Sequence, residues 1–431
     1  MKFVILLLAF ASASLAINYH GCTLAPDNLH GWVVAIDTVL ILYTTDGGLT
    51  WIPQDAPPDP YSRRLFDVTC LDSMNAWTTG KHNLHAAEIL HTSDGGNYWE
   101  RQIAGFSKYG TRIEFLDHNY GISVGGDGTI TRTTNGGVVW EQVFTEWYQA
   151  EYYGVSIINQ WDSWICAGWP DSVVTGQGYI LTSNDGGIIW DTLSGYHTAG
   201  YEDFFDIHFF NIFDGIVVGG DEIDYSPLVW KTTNSGSTWS PVSLPSNTYY
   251  LRAVDFVDQE GWAVGKSGTI IHTTDGGNTW AVQSNPADST LFDVDFSDHE
   301  HGLVCGYNYI LRTTNGGQNW QRVGIQENTT AAPATVTLNA QPNPFSNITQ
   351  IRYSILNSRY LIQEPALRIY DAGGRLVRSF HLISSIQNPG SVVQWDGTDD
   401  SGKQLPPGIY FVELRTPQSV SSMKLVLTEK K

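Results

Sequence analysis

An acidic or amide side chain recurs seven times in this sequence, always as the third residue of an octapeptide that ends in an aromatic Trp. The set consists of Asp46, Asp94, Asn135, Asp185, Asn234, Asp275 and Asn315. Carboxylates repeated in this way could bind calcium or act in catalysis. Three of the seven are Asn, which keeps the hydrogen-bond acceptor and loses the charge. We therefore interpret the set as structural, with each side chain accepting backbone N–H groups in a tight turn beside glycine.

The octapeptides recur with a long period that indicates a repeat fold. Their Trp residues run from Trp51 to Trp320, about 40 to 50 residues apart. The chain has 43 Gly, 16 Trp and only 16% charged residues, a composition typical of short strands joined by tight turns. The unit at 251–283 divides into four strands, at 251–256, 261–265, 269–274 and 279–283. We predict an all-β fold, a seven-bladed β-propeller over residues 17–327 that closes without an exchanged strand.

The octapeptide resembles the Asp-box, or bacterial neuraminidase repeat. The unit at 251–283, with GWAVG before its box, is most similar to the repeats of the photosystem II assembly factor family. That resemblance implies a propeller that binds a client protein. Sialidases and xyloglucanases also carry Asp-boxes, so a secreted, sialidase-like glycoside hydrolase is the alternative function.

Two features favour a binding protein over that enzyme. The resemblance to sialidases requires three arginines around the sugar carboxylate, together with an amino-terminal Arg-Ile-Pro signature that this sequence lacks. The xyloglucanases use two facing propellers, whereas this chain has repeats for one. Two carboxylates at a defined distance, as glycosidases need, could still occur by chance among so many acidic residues. We predict a non-catalytic binding protein, with no cofactor and no metal ion.

The segments after the second and fourth strands of each unit vary most in length, and topology places them on the face opposite the Asp-boxes. Elaborated loops on a rigid scaffold are frequent binding sites. Aromatic and acidic residues there suit stacking on sugar rings or binding a basic peptide. We predict ligand contacts off the central axis, on the first five blades, by Trp147, Tyr148, Tyr152, Tyr153, Trp169, Asp171, Tyr196, Tyr201, Glu202 and Asp203. The alternative is that these aromatic residues only pack their own loops.

A second domain follows a linker at 328–337. Alternating apolar strands separated by Asp-Gly, Ser-Gly and Pro-Pro-Gly turns predict a small Ig-like β-sandwich at 338–431. This segment resembles the C-terminal sorting domain of type IX secretion cargo and the Ig-like domain of the flagellar hook-capping protein. The resemblance implies recognition by an outer-membrane secretion machinery, and a plain stalk is the alternative. It rests on Pro342, Asn343, Pro344, Gly408, Tyr410, Lys424 and Leu427.

The amino terminus and the charge distribution restrict location and partners. Lys2, an apolar run and small residues up to Ala16 predict a signal peptide at 1–16 and a secreted or cell-surface protein. No later stretch is apolar enough for a transmembrane helix. Residues 17–334 hold 12 Lys and Arg against 37 Asp and Glu, a net charge of −25. Such a surface repels phosphate backbones, so we predict a protein or glycan ligand and no nucleic acid.

The four cysteines, Cys22, Cys70, Cys166 and Cys305, share no metal-ligand spacing. An exported protein could pair them as disulfides, and the sequence does not decide which would pair. We expect buried free thiols, because an unpaired cysteine usually behaves as a small core residue.

Overall fold

The repeats fold into seven antiparallel sheets, each built from four consecutive strands, which confirms the predicted seven blades without an exchanged strand. The computed structural model describes residues 17–36, 40–57, 63–82, 86–102, 109–143, 150–168, 178–193, 202–323, 335–356, 366–381, 391–415 and 420–429. The chain divides into two compact units, Met1–Gln326 and Glu327–Lys431.

The strands of the propeller follow the order of the chain, four to a blade. Blades one to four contain β1 Tyr19–Leu24, β2 Gly31–Ala35, β3 Leu40–Thr44, β4 Ile52–Gln54, β5 Arg63–Cys70, β6 Ala76–His82, β7 Ala86–Thr92, β8 Glu100–Gln102, β9 Gly110–Phe115, β10 Gly121–Gly125, β11 Thr129–Thr133, β12 Glu141–Val143, β13 Glu151–Ile157, β14 Ser163–Gly168, β15 Tyr179–Ser183 and β16 Asp191–Thr192. Blades five to seven contain β17 Glu202–Phe209, β18 Gly215–Asp221, β19 Pro227–Thr232, β20 Ser240–Pro241, β21 Leu251–Val257, β22 Glu260–Gly265, β23 Ile270–Thr273, β24 Ala281–Val282, β25 Leu291–Phe296, β26 His301–Gly306, β27 Tyr309–Thr314 and β28 Gln321–Val323, with one 3₁₀ turn at Lys266–Gly268.

Each Asp-box is a closed turn between the third and fourth strands. In blade two, the Thr92 hydroxyl donates to Asp94 Oδ1 at 2.9 Å and accepts the Gly96 N–H at 2.8 Å, while the Tyr98 N–H donates to the same Asp94 oxygen at 2.9 Å. Asn135 makes the equivalent bonds in blade three. The carboxylate or amide is thus engaged within its own turn, as the structural interpretation requires.

Aromatic stacking between blades forms much of the propeller core. Trp262 on the second strand of blade six lies flat on Phe296 of blade seven, with ring centroids 3.5 Å apart. The Asp-box residue Trp320 meets the same Phe296 ring edge-on at 5.9 Å. Trp77 and Trp140 sandwich Phe115 in the same way between blades two and three. These contacts explain why each box ends in Trp.

Polar side chains tie most of the innermost strands to the blade that precedes them around the ring. An unpaired strand edge leaves backbone N–H groups without acceptors. The Cys22 N–H of blade one donates to Asp293 of blade seven at 2.9 Å, and the Leu24 N–H donates to Asp295 at 2.7 Å. Equivalent bonds occur at other seams, from Ile113 N to Asp67, Ile157 N to Glu114, Phe209 N to Ser156, Val254 N to Asp206 and Phe296 N to Asp255. The first and last blades are therefore joined by side chains and by a backbone bond from the Asn308 N–H to the Ile17 carbonyl at 2.8 Å, without a shared strand.

One arginine balances part of this ring of carboxylates. Arg112 lies in the axial channel, where it contacts Asp293 at 2.7 Å, Asp206 at 3.1 Å and Asp67 at 3.7 Å. The channel is a cavity of about 260 Å³ lined by the first strands of all seven blades. The protein walls around it disfavour ionised carboxylates. They raise the pKa of Asp67 to about 7 although Arg112 acts in the opposite direction.

A second layer of titratable groups lies deeper in the channel. Burial raises the pKa of Glu114 to about 8 and that of Asp255 to about 7. Asp295 also has a pKa well above the usual carboxyl value, through burial and the neighbouring Asp255 charge. Burial lowers the pKa of His208 in this layer to about 4, and it also lowers to about 4 the pKa of His20, which lies nearer the start of the first strands. Protonated carboxyl groups and neutral imidazoles are thus favoured along the axis.

The C-terminal unit is a two-sheet sandwich. Its strands are β29 Thr335–Gln341, β30 Thr349–Leu356, β31 Ala366–Asp371, β32 Leu376–His381, β33 Ser391–Trp395, β34 Gly408–Arg415 and β35 Val420–Leu427. One sheet has the order β29-β30-β33 and the other β32-β31-β34-β35. Trp395, Tyr410 and Leu427 lie in the core between them. The Ig-like β-sandwich predicted from the turn pattern is confirmed.

The residues that carry the resemblance to sorting domains have defined structural roles in this unit. Asn343 Nδ2 donates to the carbonyl of Lys424 at 2.8 Å, and its Oδ1 accepts the Val426 N–H at 2.9 Å. The segment that contains Pro342 and Pro344 is therefore fixed along the last strand. The Tyr410 hydroxyl donates to the Pro406 carbonyl at 2.7 Å.

All four cysteines are free, and none forms a disulfide. Cys22, Cys166 and Cys305 are buried as expected, whereas Cys70 is half-buried. Within the described ranges no helix is long and apolar enough to cross a membrane.

The Asp-box geometry predicts that acceptance of hydrogen bonds, not charge, matters at the third position. Asp94→Ala removes the acceptor for the Tyr98 N–H and should lower the free energy of unfolding by about 1–2 kcal/mol. Asp94→Asn keeps that acceptor, as Asn135 does, and should cost less than about 0.5 kcal/mol. Chemical denaturation of both variants measures the difference. Equal losses would mean that the negative charge itself stabilises the turn.

The axial carboxyl groups predict a loss of stability as the solution becomes alkaline. A group whose pKa is raised by folding takes up protons on folding, so the free energy of unfolding falls as pH rises from the unfolded pKa, about 4, to the folded value. The lowered pKa values of His20 and His208 act in the opposite direction, but only between about pH 4 and about pH 6.5. Between about pH 6.5 and pH 8 the carboxyl effect therefore acts alone.

Glu114 gives the sharpest test of this dependence. Its side chain accepts the Ile157 N–H and is surrounded by Arg112, Asp206 and Asp255. The wild-type melting temperature should fall by a few degrees between about pH 6.5 and pH 8, and Glu114→Gln, which keeps an acceptor and cannot ionise, should reduce that fall, with Asp67 and Asp255 accounting for the rest. The exposed Glu300→Gln is the matched control and should leave it unchanged. A pH-independent wild type would contradict the raised pKa values.

Candidate functional site

The first strand of every blade contains an extra residue near its start. Its pairing with the second strand shifts by one position there, which is a β-bulge. A bulge turns the side chain of the extra residue out of the regular alternation. The seven bulge residues are His20, Phe66, Thr111, Tyr153, Phe205, Arg252 and Phe292. We call them the bulge ring.

The bulge ring surrounds a cavity of about 390 Å³ at the start of the innermost strands. All seven bulge residues line this cavity, joined by Tyr109, Arg112 and Glu151. Because the first strands begin on the side opposite the Asp-boxes, the cavity opens on the face that the sequence predicts for binding. It lies where all seven blades converge, however, and not off the axis. We call it the axial funnel.

The funnel wall is mainly aromatic. His20 stacks on Phe292 with centroids 5.0 Å apart and meets the Phe66 ring edge-on at 5.5 Å. Phe66 in turn stacks on Tyr109 at 5.7 Å. On the other side, Tyr153 contacts Phe205 edge-on at 5.4 Å. Such a concave wall offers ring faces and edges to an apolar or aromatic group.

The polar groups of the funnel are mostly engaged with the protein. Arg252 forms an ion pair with Glu222 and lies 4.2 Å from the centre of the Phe205 ring. The Tyr109 hydroxyl donates to Glu151 Oε2 at 2.7 Å. The low pKa of His20 leaves its imidazole neutral, so its Nδ1–H donates to the Phe66 carbonyl at 2.8 Å. The funnel therefore combines aromatic side chains with charged groups, Arg112, Arg252 and Glu151, that already have protein partners.

Four of the predicted ligand-binding residues fall within the described chain, and their positions differ. Tyr153 is half-buried and lines the funnel. Tyr152 is completely buried among apolar residues of blades three and four, so its prediction as an exposed ligand contact is wrong. Glu202 is half-buried at the start of its strand. Asp203 is 9% exposed, and its carboxylate leaves no room for a side chain at Gly168.

The other six predicted contacts lie outside the described residues, namely Trp147, Tyr148, Trp169, Asp171, Tyr196 and Tyr201. Their part in binding stays a prediction.

The lengths and residue types of the loops did not indicate the bulge residues other than Tyr153. They lie inside the first strands, which the sequence pattern presents as structural. An alignment of the seven repeats could have found them, because each lies one residue before the position held by Asp67, Asp206 or Asp293 in blades two, five and seven. Aromatic side chains at that position in four units, with His and Arg in two others, are unusual for a propeller core and were the available signal.

No group of three or more His, Cys, Asp or Glu side chains in the described part of the chain is arranged to hold a metal ion. In the funnel, the described carboxylate is Glu151, bonded to Tyr109.

Two family models match the chain. One, described as photosynthesis system II assembly factor YCF48, matches residues 8–105 and 197–284, and the other, the FlgD Ig-like domain, matches residues 361–419. The photosystem II stability/assembly factor HCF136 of Oryza sativa subsp. japonica is 39% identical over 57 residues, 12% of this chain and 14% of that protein. The chain matches only 14% to 22% of the length of the curated relatives.

Solved structures share the propeller fold. A structure described as YCF48 bound to D1 peptide is 19% identical, covers 69% of this chain and 93% of its own, and has a TM-score of 0.55. The GH74 xyloglucanase from Xanthomonas campestris is 13% identical, covers 95% and 73%, and has a TM-score of 0.56. At these identities the likeness concerns the fold alone. The chain therefore combines an Asp-box propeller that matches the photosynthesis system II assembly factor family with a C-terminal domain that matches the FlgD Ig-like domain.

Proposed function

We propose that this chain is an exported, non-catalytic binding protein whose axial funnel holds part of a polypeptide ligand. The observation that carries the proposal is the bulge ring, which directs seven side chains from seven blades into one cavity. The volume, about 390 Å³, lies at the small end of the range for ligand pockets and suits one or two side chains. A bound protein would thus insert a short segment and not a folded domain.

The chemistry of the funnel favours an apolar or aromatic anchor. Phe66, Phe205, Phe292 and Tyr153 supply ring surface, and burial of an aromatic side chain contributes about 1.5–3 kcal/mol. The strong negative charge of residues 17–334 would attract a partner with basic residues around that anchor. The similar protein whose structure contains a D1 peptide supports a polypeptide ligand of some kind.

A glycan ligand and a glycoside hydrolase are the alternatives. Sugar recognition combines an aromatic platform with several polar partners, whereas Tyr109 and Arg252 of the funnel already bond to Glu151 and Glu222. Retaining and inverting hydrolases use a pair of carboxyl groups across the bond that breaks. Glu151 is the carboxylate among the described funnel residues. We therefore favour binding of a polypeptide.

We also propose that residues 1–16 direct export and that the C-terminal sandwich is read by an outer-membrane secretion machinery. The supports are the pattern from Lys2 to Ala16 and the match of residues 361–419 to the FlgD Ig-like domain. The last strand, with Lys424 exposed on it, is held in place by Asn343. The protein would then be released from the cell or retained at its surface.

The funnel is tested with a random peptide library selected on the full-length protein and with labelled copies of the enriched peptides. Phe66→Ala and Tyr153→Ala should each weaken binding by more than about tenfold, because each removes aromatic surface from the funnel. Trp161→Ala is the matched control, since Trp161 is 63% exposed on the Asp-box side. Fluorescence anisotropy measures affinity, and melting curves verify that the variants fold.

Two results would contradict the funnel as the site. One is a peptide whose affinity is the same for Phe66→Ala and for the wild type. The other is a glycan array in which sugars bind while no peptide is enriched.

Export is tested in a bacterium that carries the type IX machinery. Deletion of residues 335–431 should leave a folded propeller in the periplasm, measured by cell fractionation and protease accessibility. A control chain, with an unrelated Ig-like domain in place of residues 335–431, should also stay inside if the native sandwich carries the signal. Arrival of either variant at the surface would show that the sandwich acts only as a stalk.

A further inference from the structure

A second cavity lies beside the axial funnel, between blades six and seven. It measures about 320 Å³ and is lined by Lys266, Ser267, Asp288, Ser289, Thr290, Phe292 and Tyr307. Phe292 also lines the funnel, so the two cavities adjoin at one ring. The loops that form it come after second and fourth strands, on the same face as the funnel. We call it the seam cavity.

The walls of the seam cavity are fixed by hydrogen bonds between the blades and within blade seven. The Gly268 N–H donates to the Ser289 carbonyl at 2.8 Å, and the Tyr307 N–H donates to the Thr290 carbonyl at 2.9 Å. The Ser289 hydroxyl donates to the Tyr307 carbonyl at 2.7 Å. A cavity with such walls is formed before a ligand arrives, which lowers the entropic cost of binding.

The chemistry of the seam cavity differs from that of the funnel. Lys266 supplies an ammonium donor, held 4.8 Å from the centre of the Tyr225 ring. Asp288 supplies a carboxylate acceptor, which already receives the Tyr309 hydroxyl at 2.9 Å. Tyr307, 43% exposed, adds an accessible aromatic face. A donor, an acceptor and an aromatic face in one cavity fit a peptide group, which has one N–H, one carbonyl and a flat surface.

We infer that the ligand is an extended polypeptide that occupies both cavities, with an apolar side chain in the axial funnel and its adjoining main chain across the seam cavity. The inference rests on the proposed function and adds the direction in which the ligand leaves the axis. Consecutive residues of an extended chain advance by about 3.3–3.6 Å. Cavities that share one phenyl ring are thus reached by neighbouring residues of one chain.

The direction differs from the one that loop lengths indicate. The longest segments after second and fourth strands belong to blades one to five, whereas the seam cavity is bounded by short connections at 266–269, 283–290 and 307–308. Of the described residues, only these short connections and Phe292 border the seam cavity between blades six and seven. A polypeptide anchored on the axis can pass there without displacing a long loop.

The experiment uses a labelled peptide enriched on the full-length protein and two substitutions in the seam cavity. Tyr307→Ala and Lys266→Met should each weaken binding by about three- to tenfold, in line with loss of one packed or hydrogen-bonded contact. Tyr98→Ala, at a residue 66% exposed in an Asp-box, is the matched control and should have no effect. Peptides shortened from each end complete the test. The form that lacks the residues crossing the seam cavity should bind the wild type and both variants with equal affinity.

The outcomes separate the two proposals. If Phe66→Ala abolishes binding while Tyr307→Ala and Lys266→Met do not change it, the ligand stays in the funnel and this inference is wrong. If Phe66→Ala has no effect on any enriched peptide, the proposed function itself fails. A glycan whose binding is lost in Tyr307→Ala and is not displaced by peptide would assign the seam cavity to a sugar and overturn the inference.

Discussion

Hydrogen bonds from the backbone N–H groups of one innermost strand to polar side chains of the preceding blade hold the propeller ring in register. Apolar packing between blades supplies most of the buried surface, but it is not directional and does not fix the height of one strand against the next. The bonds from Cys22 and Leu24 to Asp293 and Asp295 do so at the seam between the last and first blades. Because no strand is exchanged there, these bonds and the backbone bond between Asn308 and Ile17 close the ring.

The same bonds determine the composition of the axial channel. Carboxylates that serve the next blade must converge on the axis, where they repel one another and lose hydration. Arg112 relieves part of this repulsion by contacting three of them at once. It fits because Gly21, Gly154 and Ala253 occupy the equivalent positions of the other blades and leave the space open. Burial raises the pKa of the remaining carboxyl groups, which favours their uncharged form. Closure of the ring is therefore coupled to the uptake of protons.

The sequence predicted the local and repeated features of the fold. It did not predict which side chains face the funnel, because that depends on the pairing between strands. The Asp-box turns depend on residues within one octapeptide, so seven of them could be recognised and counted, and the C-terminal sandwich followed from its turns. Tyr152 and Tyr153 show the limit. Neighbouring residues on a strand point to opposite sides, and only the bulge in β13 determines that Tyr153 faces the funnel while Tyr152 enters the core. A bulge is a property of two paired strands, and the sequence of one strand does not reveal it.

The bulge also places a residue of the funnel next to a residue that ties two blades together, within a single strand. In blade seven, Phe292 faces the funnel, and the next residue, Asp293, holds the backbone of blade one. The side chains of Phe66, Phe205 and Phe292 have no polar group for such a bond, whereas His20 and Thr111 donate to the backbone carbonyls of Phe66 and Tyr152 in the next blade. In blade seven the fold and the funnel thus depend on different, neighbouring side chains, so a ligand is argued from the funnel and not from the fold.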